Sequence, residues 1–171
     1  MSDTAGHLYG TTEFGGKFTY GVVFELMHAS SGRWTEHVLH AFNFVNGAVP
    51  LAGVLFDTAG NLYGTASEGG VGENGTVFEL TRDSKGKWME RVLHQFAFST
   101  GSGNPNAGLI FDAAGDLYGT TLDDHSSHTG TVFELTRSVG DDNRSLGPMC
   151  RGFQISDVIS QLYSSAFPKG I

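Results

Sequence analysis

The sequence predicts an all-β chain assembled from repeated four-stranded antiparallel units. DTAGHLYGT from Asp3, DTAGNLYGT from Asp57 and DAAGDLYGT from Asp112 recur at offsets of 54 and 55 residues. GVVFEL from Gly21, GTVFEL from Gly75 and GTVFEL from Gly130 recur at the same two offsets. The runs are short, rich in β-branched and aromatic residues, and separated by Gly-containing connections, which is how strands are written rather than helices. One supersecondary unit is therefore present about three times. A four-stranded meander repeating every ~55 residues is the pattern of a β-propeller blade, slightly longer than a kelch unit.

The middle copy justifies each strand in turn. GVLFD from Gly53 (strand A) and NLYGTAS from Asn61 (strand B) flank Thr58-Ala59-Gly60, a tight connection in which Gly supplies a positive φ. GTVFELTR from Gly75 is strand C. WMERVLHQF from Trp88 is strand D, alternating Trp88, Glu90, Val92, His94 and Phe96 on one face against Met89, Arg91, Leu93 and Gln95 on the other. The first copy, Met1 to Phe42, holds B, C and D but begins at the Asp of the A-strand motif, so its A strand is expected to be missing. The third runs from Pro105 through A, B and C to Arg137, where the Trp…Val-Leu-His pattern of strand D does not follow.

The expected organisation is a repeat domain over 1–137, with copies at about 1–44, 45–98 and 99–137, and a non-repeat tail over 138–171. SVGDDNRSLGP from Ser138 reads as loop. Ile155, Val158, Ile159, Leu162 and Tyr163 recur at helical spacing, which predicts a short C-terminal helix with Ser156 as its cap. Three partial blades are too few to close a ring, since propellers have about four to eight. Bare blade faces are a liability, and a head-to-tail homodimer with six blades covers them most simply. The tail then either replaces the missing strand or clamps the partner.

The succession AGxxFDxAGxLYGT, GTVFELT and GxWxExVLHxF resembles the tandem repeat of bacterial GloVer-type proteins, over nearly all of Asp3 to Arg137. The resemblance implies a propeller and a family whose members are often exported or surface-attached. It implies no catalytic residues.

Composition narrows the function classes. With 39% hydrophobic and 12% aromatic residues the chain is suited to a folded β core. A formal net charge of -8 argues against nucleic acid and anionic membrane as partners, because phosphate binding needs a basic field. No apolar run approaches the ~20 residues of a membrane span. The opening MSDTAGHLYG has neither the basic nor the apolar region of a signal peptide, so a cytoplasmic location is expected for the chain as written. Cys150 is the only cysteine, which leaves no intramolecular disulfide and no cysteine metal cluster.

Asp57, Asp112, Glu25, Glu79, Glu134, His40 and His94 occupy equivalent places in different copies, as turn caps, cross-strand partners or packing groups would. A catalytic site needs each group once, so these read as structure, and Trp34, Trp88, Phe24, Phe78 and Phe133 read as blade core. A departure between copies is more informative. In a meander the B-to-C and D-to-A connections emerge at one end, so they share a rim. There the first two B-to-C loops carry EFGG and SEGG, and the third reads LDDHSSHTG, with Asp123, Asp124, His125 and His128 close together.

Carboxylate and imidazole at that density suit a divalent cation. Oxygen donors elsewhere on the rim, Asn104 and Asn106 among them, could complete a Ca²⁺ shell with Asp123 and Asp124. The enzyme this predicts is a Ca²⁺-dependent hydrolase of a small-molecule ester or lactone. The ion polarises the carbonyl and His125 or His128 activates water. The link to lactonases on six-bladed propellers is by fold alone. The competing readings are a binding module for glycan, peptide or protein, and a fragment of a longer surface repeat protein.

Overall fold

The computed structural model describes residues 1–97, 103–122, 130–137 and 146–154, the last stretch by its backbone. Every regular element among them is a strand. The first sheet contains β1 (Leu8–Thr12), β2 (Val22–His28) and β3 (Trp34–Ala41). The second contains β4 (Leu55–Phe56), β5 (Leu62–Ala66), β6 (Glu73–Arg82) and β7 (Trp88–Ala97). The third contains β8 (Ile110–Phe111), β9 (Leu117–Thr120), β10 (Thr131–Arg137) and β11 (Leu146–Gln154). All pairing within the sheets is antiparallel, in the meander orders β1-β2-β3, β4-β5-β6-β7 and β8-β9-β10-β11. These are propeller blades.

The same chemistry fixes the A-to-B turn in each copy. Gly60 takes φ 84° and Asp57 Oδ1 accepts the backbone N–H groups of Ala59 and Asn61 at 2.9 Å, so carboxylate and glycine together close the turn. Asp3 and Asp112 accept equivalent pairs of N–H groups around Gly6 and Gly115. In the LYGT strands the glycine makes room for an aromatic ring. A Cβ on Gly64 would lie 2.5 Å from Phe78, and one on Gly119 2.4 Å from Phe133.

The blades stack face to face. Tyr9, Val23 and Phe42 of the first blade pack against Val54, Leu62, Ala66, Phe78 and Leu80 of the second. Tyr63, Val77, Leu93 and Phe96 of the second pack in the same way against Leu109, Leu117, Phe133 and Leu135 of the third. Ring pairs repeat with the interface: Phe42–Phe78 and Phe96–Phe133 both stand at 5.1 Å, and Tyr9–Phe56 and Tyr63–Phe111 meet edge to face at 4.9 and 5.2 Å. Each blade thus offers one set of residues to its successor and another to its predecessor.

The first blade is three-stranded, as the sequence predicts, with a bridge alone marking its A position. Tyr9 N–H donates to the Met1 carbonyl at 2.8 Å and Ser2 bridges Leu8, so Met1 and Ser2 stand where Leu55 and Phe56 pair with Tyr63 and Leu62. Other sequence-based expectations are corrected. The third blade does not lack a fourth strand, because β11 pairs along β10 from Thr131↔Gln154 to Arg137↔Leu146, so the residues from Leu146 are strand rather than loop. Pro148 is tolerated there because β11 is an edge strand.

The strict alternation of β7 also fails. Val77 pairs with His94 and Phe78 with Val92, so Leu93 is the extra residue of a bulge, and both Leu93 and Phe96 are buried. Trp34 is not blade core, being 50% exposed beside His28. Phe24 is half-buried, where Phe78 and Phe133 are fully buried. The helix expected from Ile155 lies outside the described residues.

Candidate functional site

The rim follows from the meander. Ala48 and Glu68 exchange backbone hydrogen bonds at 2.7 and 3.0 Å, joining the D-to-A connection of the first blade to the B-to-C loop of the second. Leu122 N–H donates to the Asn104 carbonyl at 3.0 Å, which joins the next pair in the same way. Asp123, Asp124, His125 and His128, the expected metal and catalytic groups, lie outside the described residues.

Asn104 is held in a left-handed conformation (φ 54°), donates its N–H to the Asn74 carbonyl at 2.8 Å and its side-chain amide to the Ser67 carbonyl at 3.0 Å. Val49 occupies the same place in the preceding connection with φ 56°, and Asn meets that demand with less strain. Asn106 Oδ1 is buried without a hydrogen-bond partner among the described residues.

The repeated carboxylates have structural partners. Tyr9, Tyr63 and Tyr118 donate their phenol protons to Glu25, Glu79 and Glu134 at 2.6, 2.7 and 2.9 Å, across directly opposed positions of strands B and C. Burial, then the bond to Glu79, pushes the Tyr63 phenol far above its ordinary value, and Tyr9 shifts likewise. Tyr118, on the side of the third blade that no described blade covers, is pushed up to about 12, chiefly by its bond to Glu134. In the second blade Arg91 closes the arrangement, with Nε and Nη2 donating to Glu79 Oε2 at 2.9 and 2.6 Å.

His40 and His94 pack edge to face on Phe42 and Phe96 and are lowered by burial, His40 to about 4. Asn46 bridges His40 Nε2, at 3.0 Å, to Glu90, whose carboxyl burial raises to about 6 against the amide donor. These groups tie the first blade to the second. Between the A-to-B turns of the second and third blades lies an open cleft of about 290 Å³, walled by Phe56, Asp57, Phe111 and Asp112. The Asp57 and Asp112 carboxylates are already engaged by turn N–H groups.

Residues 1–146 match the Gloeobacter/Verrucomicrobia repeat, far more than half of the chain. The chain belongs to that repeat family. No curated protein and no solved structure matches it. Within the Gloeobacter/Verrucomicrobia repeat as this chain carries it, the Asp–Tyr–Glu set belongs to the scaffold, so a functional group has to be sought where one copy differs.

One such place escaped the sequence reading. The position between Gly and Leu in DTAGxLYGT is Asn61 in the second copy, Asp116 in the third and His7 in the first. In the first blade of this Gloeobacter/Verrucomicrobia repeat protein, His7 Nδ1 lies 3.2 Å from Asp3 Oδ2 and 3.3 Å from Glu25 Oε1. One ligand atom from each of the three groups falls within 4.8 Å of the others. Partial burial works against charge on Asp3, but the N–H donors of His7 and Ala5 and the imidazole outweigh it and hold the carboxyl below its ordinary value. The signal available beforehand was the lone imidazole at an otherwise Asn or Asp position, next to a repeated Asp.

Proposed function

We propose that this chain is a binding and assembly module: its three blades join those of a second copy head to tail, and the rim of the resulting six-bladed ring holds the partner or ligand. The supporting observation is that the two outer faces carry the residues that the inner interfaces bury. Leu62 and Leu117 are fully buried against a preceding blade, whereas Leu8, their equivalent, is 41% exposed, and Val38 stands 53% exposed where Val92 is half-buried. On the opposite end Tyr118 and Val132 are half-buried, while Tyr9, Tyr63, Val23 and Val77 are buried against a following blade. A third blade from another copy presents the face that the first blade lacks.

Trp34 reports on this directly. In a Trp88→Phe background, its fluorescence is expected to shift to the blue as the protein is concentrated through the micromolar range, and Val38→Asp should abolish the shift without loss of sheet circular dichroism. An emission maximum fixed at the solvent-exposed value at every concentration counts against assembly through this face.

The calcium-dependent hydrolase reading keeps one supporting observation, the unsatisfied Oδ1 of Asn106, two residues along the chain from Asn104, whose carbonyl accepts from Leu122. It requires hydrolysis of short acyl lactones or activated esters that stops with chelator and in Asp124→Ala. Activity indifferent to both would remove it.

A further inference from the structure

We propose that Asp3, His7 and Glu25 form a binding site for a divalent transition-metal ion of the zinc class. Separations of 3.2 and 3.3 Å between His7 Nδ1 and the two carboxylate oxygens match the ligand-to-ligand edges of a small ion. Bonds of about 2.0–2.2 Å place neighbouring ligands about 3.0–3.5 Å apart in tetrahedral or octahedral shells. An imidazole nitrogen among the donors selects zinc-class ions over Ca²⁺ and Mg²⁺, which take oxygen. The Tyr9 hydroxyl stands 2.6 Å from Glu25 Oε1 and 3.2 Å from Asp3 Oδ2, the same oxygens that face His7, and so fixes both carboxylates at the site. Glu25 is buried, while about a quarter of the Asp3 and His7 side chains faces solvent, so an ion can enter and keep water or an exogenous ligand in its open positions.

The second blade shows what the same frame looks like when built for structure. There Asn61 donates its side-chain amide to Asp57 Oδ2 at 2.9 Å, and Arg91 neutralises Glu79 from the opposing strand. In the first blade Asn gives way to His7, and the register partner of Glu25 is His37, exposed and making no ion pair with it. Two carboxylates therefore converge without the guanidinium that balances the equivalent pair, and an imidazole takes the third corner. A divalent ion supplies the missing charge.

The test uses the untagged full chain, stripped with chelator and titrated with Zn²⁺ at pH 7 by calorimetry. The parent should bind with Kd in the micromolar range or tighter, and His7→Asn should bind one equivalent fewer per chain. Asn is the residue of the second blade, so this variant should keep the metal-free Tm and circular dichroism of the parent. Glu25→Gln, which retains an acceptor for Tyr9, should lose the same equivalent. If the parent takes up no Zn²⁺, or if either folded variant keeps the parental stoichiometry, the three residues are an ion pair with His7 and the site is refuted.

Discussion

Phe78→Ala is expected to lower the free energy of unfolding by about 3–5 kcal/mol, the range for emptying an aromatic site in a close-packed interior. Phe78 is fully buried, stands 5.1 Å from Phe42 across the blade interface, and lies over Gly64 so closely that a Cβ there would be 2.5 Å from the ring. Gly64 has no side chain with which to refill the space, so the cavity persists. Phe24→Ala removes the same group at the half-buried equivalent and should cost less than half as much in the unassembled chain. Urea unfolding of both variants measures the difference. A Phe78→Ala variant within about 1 kcal/mol of the parent would show that the blade interface is not a main source of stability.

Glu79→Ala should cost about 2–4 kcal/mol, because it leaves the Tyr63 hydroxyl only its longer bond, 3.2 Å, to Asp57 Oδ2 and removes Glu79 Oε2, which accepts both bonds of the Arg91 fork. The upper end of the buried-pair range is not reached, since Arg91 is 44% exposed and can turn to water. Glu79→Gln keeps an acceptor for Tyr63 and loses only the charge, so its cost should fall to about half. Burial and Asp57 still raise the Tyr63 phenol in Glu79→Ala, but the hydrogen bond and charge of Glu79 are gone, so it should titrate closer to its ordinary value. A double-mutant cycle with Arg91→Met separates the ion pair from the phenol bond.

Much of this fold is legible in the sequence because the repeat states it more than once. The Asp–Gly turns, the LYGT and FEL strands and the meander order follow from local chemistry that each copy repeats. What the sequence hid depends on register or on residues far apart. The bulge at Leu93 moves Leu93 and Phe96 inward together, and an alternation count cannot see an extra residue. β11 escaped because Gly147, Pro148 and Gly152 suit a strand poorly except at an edge, where only one side of the backbone is paired.

Trp34 departs from its motif for a different reason. Its counterpart Trp88 packs against the cluster shared by the first and second blades, and among the described residues no blade covers the matching face of the first, so identical motifs differ in burial by position in the stack. The candidate site divides similarly. That Asp57 and Glu79 are structural could be read from their recurrence, but their common partner, Tyr63, appears only once strands B and C are in register. His7 stood in plain view as a departure from its copies, and only the fold brings Glu25 to it across the strands.

The central claim, that the outer faces of the first and third blades are two halves of one repeated interface, is tested most directly by the mass of the full chain in solution. Sedimentation equilibrium across the micromolar range should yield a species of twice 18.2 kDa, reduced to a folded single chain by Val38→Asp. A folded parent that remains at 18.2 kDa over the whole range would contradict it.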